Sequence, residues 1–268
     1  MLSAIVLAKN EEERLGTCLE SLKAVADEVL VVDDESTDNT MAVAQKFGAQ
    51  VQIHRMENFA AQRNFGLSYT KGDWIFYLDA DERVSAPLAA EIKEVIKTTD
   101  GPIAAYAIPR CNFYLGKLQK SGWYPDYQKR LFRRDAFRDW VGLLHEEPRF
   151  AGALEHLQAP IIHLSHRDIY SMTRKSIQFT HLEAELRLAA KHPPVSWWRL
   201  LRICMSEFLR QLRLGRWKNG TEGWIEVLFQ TFNMFLIYAR LWELQRKEPL
   251  AETYQRLDQE LVKGGFKL

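Results

Sequence analysis

The sequence predicts an α/β fold, in which a mainly parallel sheet is flanked by helices and followed by a helical C-terminal extension. Two observations predict it. In about the first hundred residues, short apolar runs alternate with segments whose apolar residues recur at helical spacing, the pattern of successive β-α-β units. After His192-Pro193-Pro194, which has the composition of a linker, only helical patterns follow. We therefore predict an α/β domain over residues 1–192 and a helical extension over residues 193–268.

Each element is indicated by a local pattern. Apolar runs typical of strands lie at residues 2–8, 29–32, 51–53 and 74–78. Apolar residues at helical spacing lie between them, from Leu15 to Val25, from Val43 to Phe47 and from Ala60 to Thr70. Ser85 and Pro87 suit the start of a fourth helix, whereas Ser36 or Asp38 is expected to cap the second. Residues 104–166 predict short strands and loops, and helices are predicted over residues 169–190, 196–214 and 223–246, ahead of a charged tail.

Composition and charge argue against several functions. The 36 basic and 35 acidic residues leave a formal net charge of +1, so a general nucleic-acid-binding protein is not indicated. The three cysteines, Cys18, Cys111 and Cys204, are far apart, which is typical of a reducing compartment and gives no support to a zinc site. No run reaches the ~20 apolar residues of a membrane-spanning helix, and the apolar start is too short for a signal peptide. We therefore expect a cytoplasmic protein.

Two acidic clusters follow predicted strands. Asp33 and Asp34 end the second strand, and Asp79 and Asp81 follow the fourth. In parallel sheets, ligands bind beyond the carboxyl ends of the strands. A carboxylate there can accept the N–H of a nucleoside base, and carboxylates are ligands that Mg²⁺ and Mn²⁺ prefer when they bridge phosphates. An Asp-x-Asp pair alone is more often a solvated loop, but its position after an apolar strand favours a divalent-cation site.

Four segments in this order resemble glycosyltransferase family 2 enzymes with the GT-A fold. They are residues 5–12 (IVLAKNEE), 31–40 (VVDDESTDNT), 62–66 (QRNFG) and 78–82 (LDADE). Residues 123–126, 130–134 and 144–146 extend the likeness to the branch that adds a β-linked sugar, often glucose, to the inner core of lipopolysaccharide. The resemblance implies a UDP-sugar donor, a lipopolysaccharide-type or other glycan acceptor and transfer with inversion. Glu35 stands where the family motif commonly has glycine, which suggests a stiffer loop.

The resemblance also implies roles for the acidic clusters and for one arginine. Asp33 and Asp34 would bind the nucleoside, and Arg63 would lie near the base or the diphosphate. Asp79 would contact the ribose or the donor sugar, and Asp81 would bind the metal.

The general base and a second metal ligand are expected in the later part of this domain. An inverting transfer needs one carboxylate to take the proton of the acceptor hydroxyl. Glu146 is favoured over Glu147, which precedes Pro148, and His145 would orient Glu146 or fill a pocket. The resemblance implies a late histidine in the metal site; His163 matches best, because imidazole is a good ligand for such ions.

Basic residues near the predicted site leave two interpretations open. Lys129, Arg130, Arg133 and Arg134 could neutralise donor phosphates or an anionic acceptor, although each alone is more typical of a solvated face. The first helix of the extension has Arg199, Arg202, Ser206, Arg210 and Arg213 on one face, with tryptophans at one end. Such a stripe is typical of helices on anionic membrane surfaces, so we predict a peripheral protein on the cytoplasmic face of the inner membrane. The alternative is a helical hairpin packed on the catalytic domain or in a dimer.

Two further alternatives concern function. Within the family, the acceptor could be a polyprenyl phosphate or another surface glycan. Outside it, the same scaffold serves nucleotidyltransferases and non-catalytic nucleotide-binding proteins. The loop after the first strand, residues 8–13, is too acidic to bind a triphosphate, which argues against a nucleotidyltransferase.

Overall fold

The computed structural model describes residues 1–99, 101–122, 124–143 and 146–263. Contacts divide the chain into two compact units, Met1–Ser165 and His166–Leu268. The division precedes the boundary drawn from the sequence at residue 192, because the helix between these positions packs with the helices that follow it.

The first unit contains the sheet. Its strands are β1 (Leu2–Ala8), β2 (Glu28–Asp33), β3 (Gln50–Ile53), β4 (Trp74–Asp79), β5 (Glu82–Val84), β6 (Ile103–Tyr114), β7 (Lys117–Leu118), β8 (Asp126–Arg133), β9 (Phe137–Val141), β10 (Glu147–Phe150), β11 (Ala153–His156) and β12 (Ile161–Leu164). Its helices are α1 (Glu12–Leu22), α2 (Thr40–Lys46), α3 (Phe59–Leu67) and α4 (Ala86–Thr98). The main sheet has the strand order β3-β2-β1-β4-β8-β6-β12-β5, with β7 and β11 beside β6, while β9 and β10 form a separate pair.

One half of the main sheet is parallel, as the alternation predicts. The strands β3, β2, β1 and β4 pair in parallel, whereas β8 runs antiparallel to both β4 and β6. Successive side chains of a strand point to opposite faces, and β1 is buried on both: Val6 packs in one hydrophobic cluster and Ile5 in the other. The apolar run is therefore explained by burial on two faces.

Helix packing and capping follow local residues. Gly66 brings α3 against the sheet, because a Cβ atom there would lie 2.8 Å from Ile5 Cγ2 and 2.9 Å from Val32 Cγ2. Ser85 caps α4 by accepting a hydrogen bond from the amide of Leu88, as predicted. Of the two residues predicted to cap α2, Asp38 accepts a hydrogen bond from the amide of Thr40, the first residue of the helix, at 3.0 Å. Ser36 does not cap it, because its hydroxyl accepts a hydrogen bond from the Asn10 amide in the preceding loop.

The second unit is helical. It contains α5 (Ile169–Ala189), α6 (Trp197–Arg213), a 3₁₀ turn (Arg216–Asn219), α7 (Thr221–Leu244) and α8 (Leu250–Val262). Both α5 and α6 pack on α7, around a core that includes Ala184, Ile237 and Leu241. The predicted charged tail is largely the helix α8, which buries none of its side chains. No helix of the described residues has the length and apolar character needed to cross a membrane.

Candidate active site

The carboxyl ends of three parallel strands form one edge of the sheet. Asp33, at the end of β2, is in register with Ala8 of β1, and Asp79, at the end of β4, is in register with Leu7. Because β1 lies between β2 and β4, the two acidic clusters flank it. This is the edge at which α/β enzymes bind nucleotides, and the predicted position of both clusters at the carboxyl ends of strands is confirmed.

Asp33 and Asp34 have different surroundings although both are buried. Asp33 Oδ1 accepts a hydrogen bond from the Ser36 amide at 2.8 Å, whereas its buried Oδ2 has no partner among the described residues. Asp34 uses both oxygens, one with Lys9 Nζ at 2.7 Å and one with the Met56 amide at 2.8 Å. Asp34 therefore ties together the loops after β1 and β3, while Asp33 keeps one acceptor atom available.

Arg63 joins two of the predicted site residues. It is buried on α3, and its Nη2 lies 3.1 Å from Asp79 Oδ1 and 3.3 Å from Glu146 Oε1. The guanidinium lies 5.0 Å from the ring centroid of Trp140 and 5.7 Å from that of Tyr77. Aromatic faces stabilise a buried cation, so Arg63 is fixed between the Asp-x-Asp segment and the predicted base.

The residues on either side of Arg63 fix the surrounding chain. Gln62 contacts His54 through both ends of its amide, at 2.7 Å to the ring and 2.8 Å to the carbonyl. Asn64 accepts from the Trp140 amide at 2.8 Å and donates to the Trp140 carbonyl at 2.9 Å. The three consecutive residues thus connect α3 to the loop after β3, to β4 and to β9.

Arg130 is a site residue that the sequence did not single out. It is 5% exposed, so the expectation of a solvated face is wrong for this residue. Its Nη2 donates to Asp79 Oδ2 at 2.5 Å and to Glu82 Oε1 at 3.1 Å. Burial alone would raise the pKa of Asp79, but Arg130 and Arg63 outweigh it and keep that pKa far below its usual range. Asp79 is therefore ionised at neutral pH.

A pattern in β8 groups Arg130 with other polar residues, although it does not reveal the contact with Asp79. Asp126, Gln128 and Arg130 are spaced two residues apart, which places polar side chains on one face of a strand. Asp126 pairs with Arg110, whose Nη1 lies 3.3 Å from Glu82. Burial would raise the pKa of Asp126, but Arg110 and hydrogen bonds, the first from Asn112, lower it overall.

Asp81 and His163 are brought together by β12. His163 Nε2 lies 3.6 Å from Asp81 Oδ2, and both side chains are partly exposed. In the register of the sheet, His163 is opposite Asn112 of β6, and its Nδ1 lies 2.6 Å from Asn112 Oδ1. The structure thus brings together the two residues predicted as metal ligands.

These two residues fit a divalent cation that also binds phosphate. Carboxylate oxygen and imidazole nitrogen are both ligands of Mn²⁺-like ions. The described residues contain no group of three or more His, Cys, Asp or Glu that could hold a metal ion. Mg²⁺ in nucleotide sites typically uses one or two protein ligands and takes the rest from phosphates and water, so two ligands suffice for that type of site.

Glu146 and Glu147 lie in different environments. Glu146 lines a pocket together with Tyr127, Arg130 and Trp140, and its side chain is 20% exposed. Glu147 is 67% exposed and pairs with Lys129 at 2.7 Å. His145, like Trp123 and Leu144 in the motifs above, lies outside the described residues.

Comparison with known proteins identifies the class as glycosyltransferase. The sequence profile described as "Glycosyl transferase family 2" matches residues 3–155, so the chain belongs to that family. It is 28% identical over 269 residues to an uncharacterized glycosyltransferase of Rickettsia conorii, with 95% of each chain covered. It is 27% identical over 255 residues to the lipopolysaccharide core biosynthesis glycosyltransferase LpsC of Rhizobium meliloti, covering 90% of this chain and 92% of that protein.

Among solved structures, the chain also matches glucosyl-3-phosphoglycerate synthase from Mycobacterium tuberculosis. It is 16% identical, with a TM-score of 0.46, and the match covers 72% of this chain and 81% of that one. The predicted α/β fold of the GT-A type and the predicted enzyme class are confirmed. The alternative of a nucleotidyltransferase or a non-catalytic protein is accordingly set aside.

Proposed function

We propose that the protein transfers glucose or a related hexose from a UDP-sugar, with inversion, to a lipopolysaccharide core or a similar cell-surface glycan. The observation that carries the proposal is the Arg63 bridge, which links Asp79 of the Asp-x-Asp segment to Glu146. A carboxylate beside the donor site is what a single displacement requires. The name of the Rhizobium meliloti relative supports this acceptor class.

The donor part of the proposal rests on two unpaired groups. The buried Oδ2 of Asp33 has no partner among the described residues and suits the N–H of uracil. The buried Nη1 of Arg63 is likewise unpaired within that set and suits a diphosphate oxygen. An unpaired buried polar group costs about 1–3 kcal/mol, which bound donor would remove. Asp34 would support the nucleoside site through its two loops, and Asp79 would contact the ribose or the donor sugar.

The departure of the nucleoside diphosphate calls for positive charge. A divalent cation, Mg²⁺ or Mn²⁺, bound by Asp81 and His163 would neutralise the charge of the leaving diphosphate. Arg63, whose Nε and Nη1 both lack a partner among the described residues, would supply a further contact on the same edge.

Glu146 is the proposed general base. It would take the proton of the acceptor hydroxyl while that oxygen forms a bond to the anomeric carbon and the bond from this carbon to the diphosphate breaks. UDP leaves with the bonding electrons, and the configuration at the anomeric carbon inverts. Arg63 would orient the Glu146 carboxylate through the contact at 3.3 Å.

The test compares Glu146→Gln with Glu147→Gln. The first keeps the side-chain size and removes the base, so kcat should fall by about 10²–10⁴-fold while donor affinity stays nearly constant. The second changes an exposed residue of a surface ion pair and should have little effect. UDP release and the anomeric configuration of the product are measured. A product of retained configuration, or an effect confined to Glu147→Gln, would contradict the proposed mechanism.

The proposal includes attachment to the cytoplasmic face of an anionic inner membrane through α6. Trp197 and Trp198 are 73% and 64% exposed, and Leu201 and Met205 are exposed on the same side of the helix. Exposed apolar residues of this size on one helix face are typical of a binding surface. The adjacent face carries Arg202 and other arginines, which suits anionic lipid headgroups.

A further inference from the structure

The side chain of Asn112 has only one orientation that satisfies its neighbours. Asn112 is 1% exposed, and its amide contacts Asp126 on one side and His163 on the other. An ionised carboxylate only accepts hydrogen bonds, so the NH₂ group of Asn112 must face Asp126, at 3.0 Å. The carbonyl Oδ1 of Asn112 must then face His163.

The orientation of Asn112 in turn determines where the His163 proton lies. Oδ1 of Asn112 is an acceptor, and Nδ1 of His163 lies 2.6 Å from it. Nδ1 must therefore carry the proton, which leaves the lone pair of the neutral ring on Nε2. Nε2 is the nitrogen that lies 3.6 Å from Asp81, so the lone pair is directed to the side of the proposed cation ligands.

We propose that Asn112, anchored by Asp126, is a positioning residue that fixes His163 in the Nδ1–H tautomer and so prepares Nε2 to bind a divalent cation together with Asp81. This inference rests on the proposed function, in which Asp81 and His163 bind the cation. Without the Asn112 acceptor, the proton of a neutral ring is free to lie on either nitrogen, and the ring itself loses a fixed orientation.

Register in the sheet makes this arrangement rigid. His163 on β12 pairs with Asn112 on β6 and, on its other side, with Glu82 on β5. Asp126 is itself fixed on β8 by Arg110 at 2.9 Å and by Gln128 at 2.7 Å. The anchor, the amide and the imidazole therefore lie on three consecutive strands of one sheet, β8, β6 and β12.

The first measurement uses the wild-type protein without metal. ¹⁵N resonances of the histidine rings, assigned to His163 by comparison with His163→Ala, report the tautomer of the neutral ring. The Nδ1–H tautomer is expected. A predominant Nε2–H tautomer would overturn the inference, whatever the behaviour of any variant.

The second measurement is the affinity for Mn²⁺ in the presence of UDP, followed by the electron paramagnetic resonance signal of free Mn²⁺. Asn112→Leu is similar in size and lacks the acceptor, and it should bind Mn²⁺ about 10–100-fold more weakly. His163→Ala should weaken binding at least as much, and the double variant no further than His163→Ala. Thermal melting shows whether Asn112→Leu is folded; if it is not, the wild-type tautomer decides the question.

The outcomes separate the two proposals. If His163→Ala weakens Mn²⁺ binding and folded Asn112→Leu does not, the role of Asn112 is refuted while the cation site stands. If His163→Ala binds Mn²⁺ as tightly as wild type, the cation site of the proposed function is wrong, and Asn112 has no role in metal binding.

Discussion

Glu35 has a backbone conformation that side chains other than glycine rarely adopt. Its φ angle is 50°, in the left-handed region, directly after Asp33 and Asp34. This conformation costs roughly 1–2 kcal/mol for most residues, whereas glycine adopts it without strain. Glutamate in place of the glycine of the family motif therefore makes this loop conformation less favourable, but the loop still adopts it.

Replacing Glu35 with glycine should accordingly raise stability. Relief of strain should exceed the roughly 0.5–1 kcal/mol entropic cost of glycine, so we expect Glu35→Gly to increase the free energy of unfolding by up to about 1 kcal/mol. Urea denaturation measures it. Thr37→Gly is the control: Thr37 is not among the residues with positive φ, so glycine there should destabilise. A loss of stability in Glu35→Gly would show that its side chain makes a compensating contribution.

Two pairs of adjacent acidic residues show what the sequence does not predict about individual side chains. Asp33 and Asp34 are equivalent as a motif, yet only Asp33 retains a buried oxygen without a partner among the described residues. Glu146 and Glu147 are separated by one position, and one lines the pocket while the other pairs with Lys129 at the surface. Residue type predicted a candidate role for each pair, but the partners that distinguish the members of the second pair are Arg63 of α3 and Lys129 of β8, which are distant in sequence. No local pattern encodes such contacts.

Among the elements, α6 shows an unusual distribution of side chains. Apolar residues at one end are exposed, whereas Glu207 and Gln211 are buried on the face that packs. Glu207 is balanced by Arg210 at 2.8 Å and by Gln211. The sequence indicated the arginine face and the tryptophans. A prediction that simply buries the apolar side chains would have packed the wrong face of this helix against its neighbours. The exposed apolar face is therefore information that only the structure supplies.

The α6 surface leads to a prediction about anionic vesicles. Arg210 already pairs with Glu207. The better targets are therefore Arg202 and Arg213, which are both exposed. Each basic residue near an anionic surface contributes about 1 kcal/mol, so Arg202→Glu/Arg213→Glu should weaken binding by about 30-fold or more. Co-sedimentation with vesicles that contain phosphatidylglycerol, at low and high salt, measures the effect.

A matched control carries the same change in net charge on another surface. Lys247→Glu/Lys263→Glu alters exposed residues at either end of α8 and should bind vesicles almost as wild type does. Trp197→Ala/Trp198→Ala should weaken the salt-resistant part of binding, since tryptophan inserts at the interface. If vesicle binding is unchanged in both α6 variants and a dimer dissociates instead, α6 is a protein interface.

At the scale of the whole molecule, the part of the fold that local pattern predicts is the parallel half of the sheet. Alternation of strands and helices identified β1 to β4 and α1 to α4, because each element is short and its burial is visible in its own residues. The sequence could not show that β8 would insert antiparallel between β4 and β6. That insertion brings Arg130 to Asp79. The sequence did not single out Arg130 for the same reason that it did not predict the position of β8.

The ion pairs that β8 completes make the first unit sensitive to acid. Asp126 has a pKa below its usual value in the folded protein, through Arg110 and hydrogen bonds that outweigh burial. A lowered pKa contributes stability that is fully present above the unfolded value of about 3.9 and is lost as the pH falls through the folded value. The free energy of unfolding of this unit should therefore decrease below about pH 4, by at most about 1.4 kcal/mol per pH unit for each such carboxylate.

Asp126→Asn tests this linkage because asparagine does not titrate. The variant should be less stable than wild type at pH 7. The difference should shrink as the pH falls below about 4, because Asp126 of the unfolded wild type then binds a proton that the folded protein, with its lowered pKa, binds less readily. Hydrogen exchange of the β4 and β8 amides, corrected for the intrinsic rates, reports the first unit specifically. Asp135→Asn changes an aspartate that is 69% exposed in a surface ion pair and should follow the wild-type curve. A difference between Asp126→Asn and wild type that stays constant from pH 7 to pH 3 would show that packing, and not the charge of Asp126, determines its contribution.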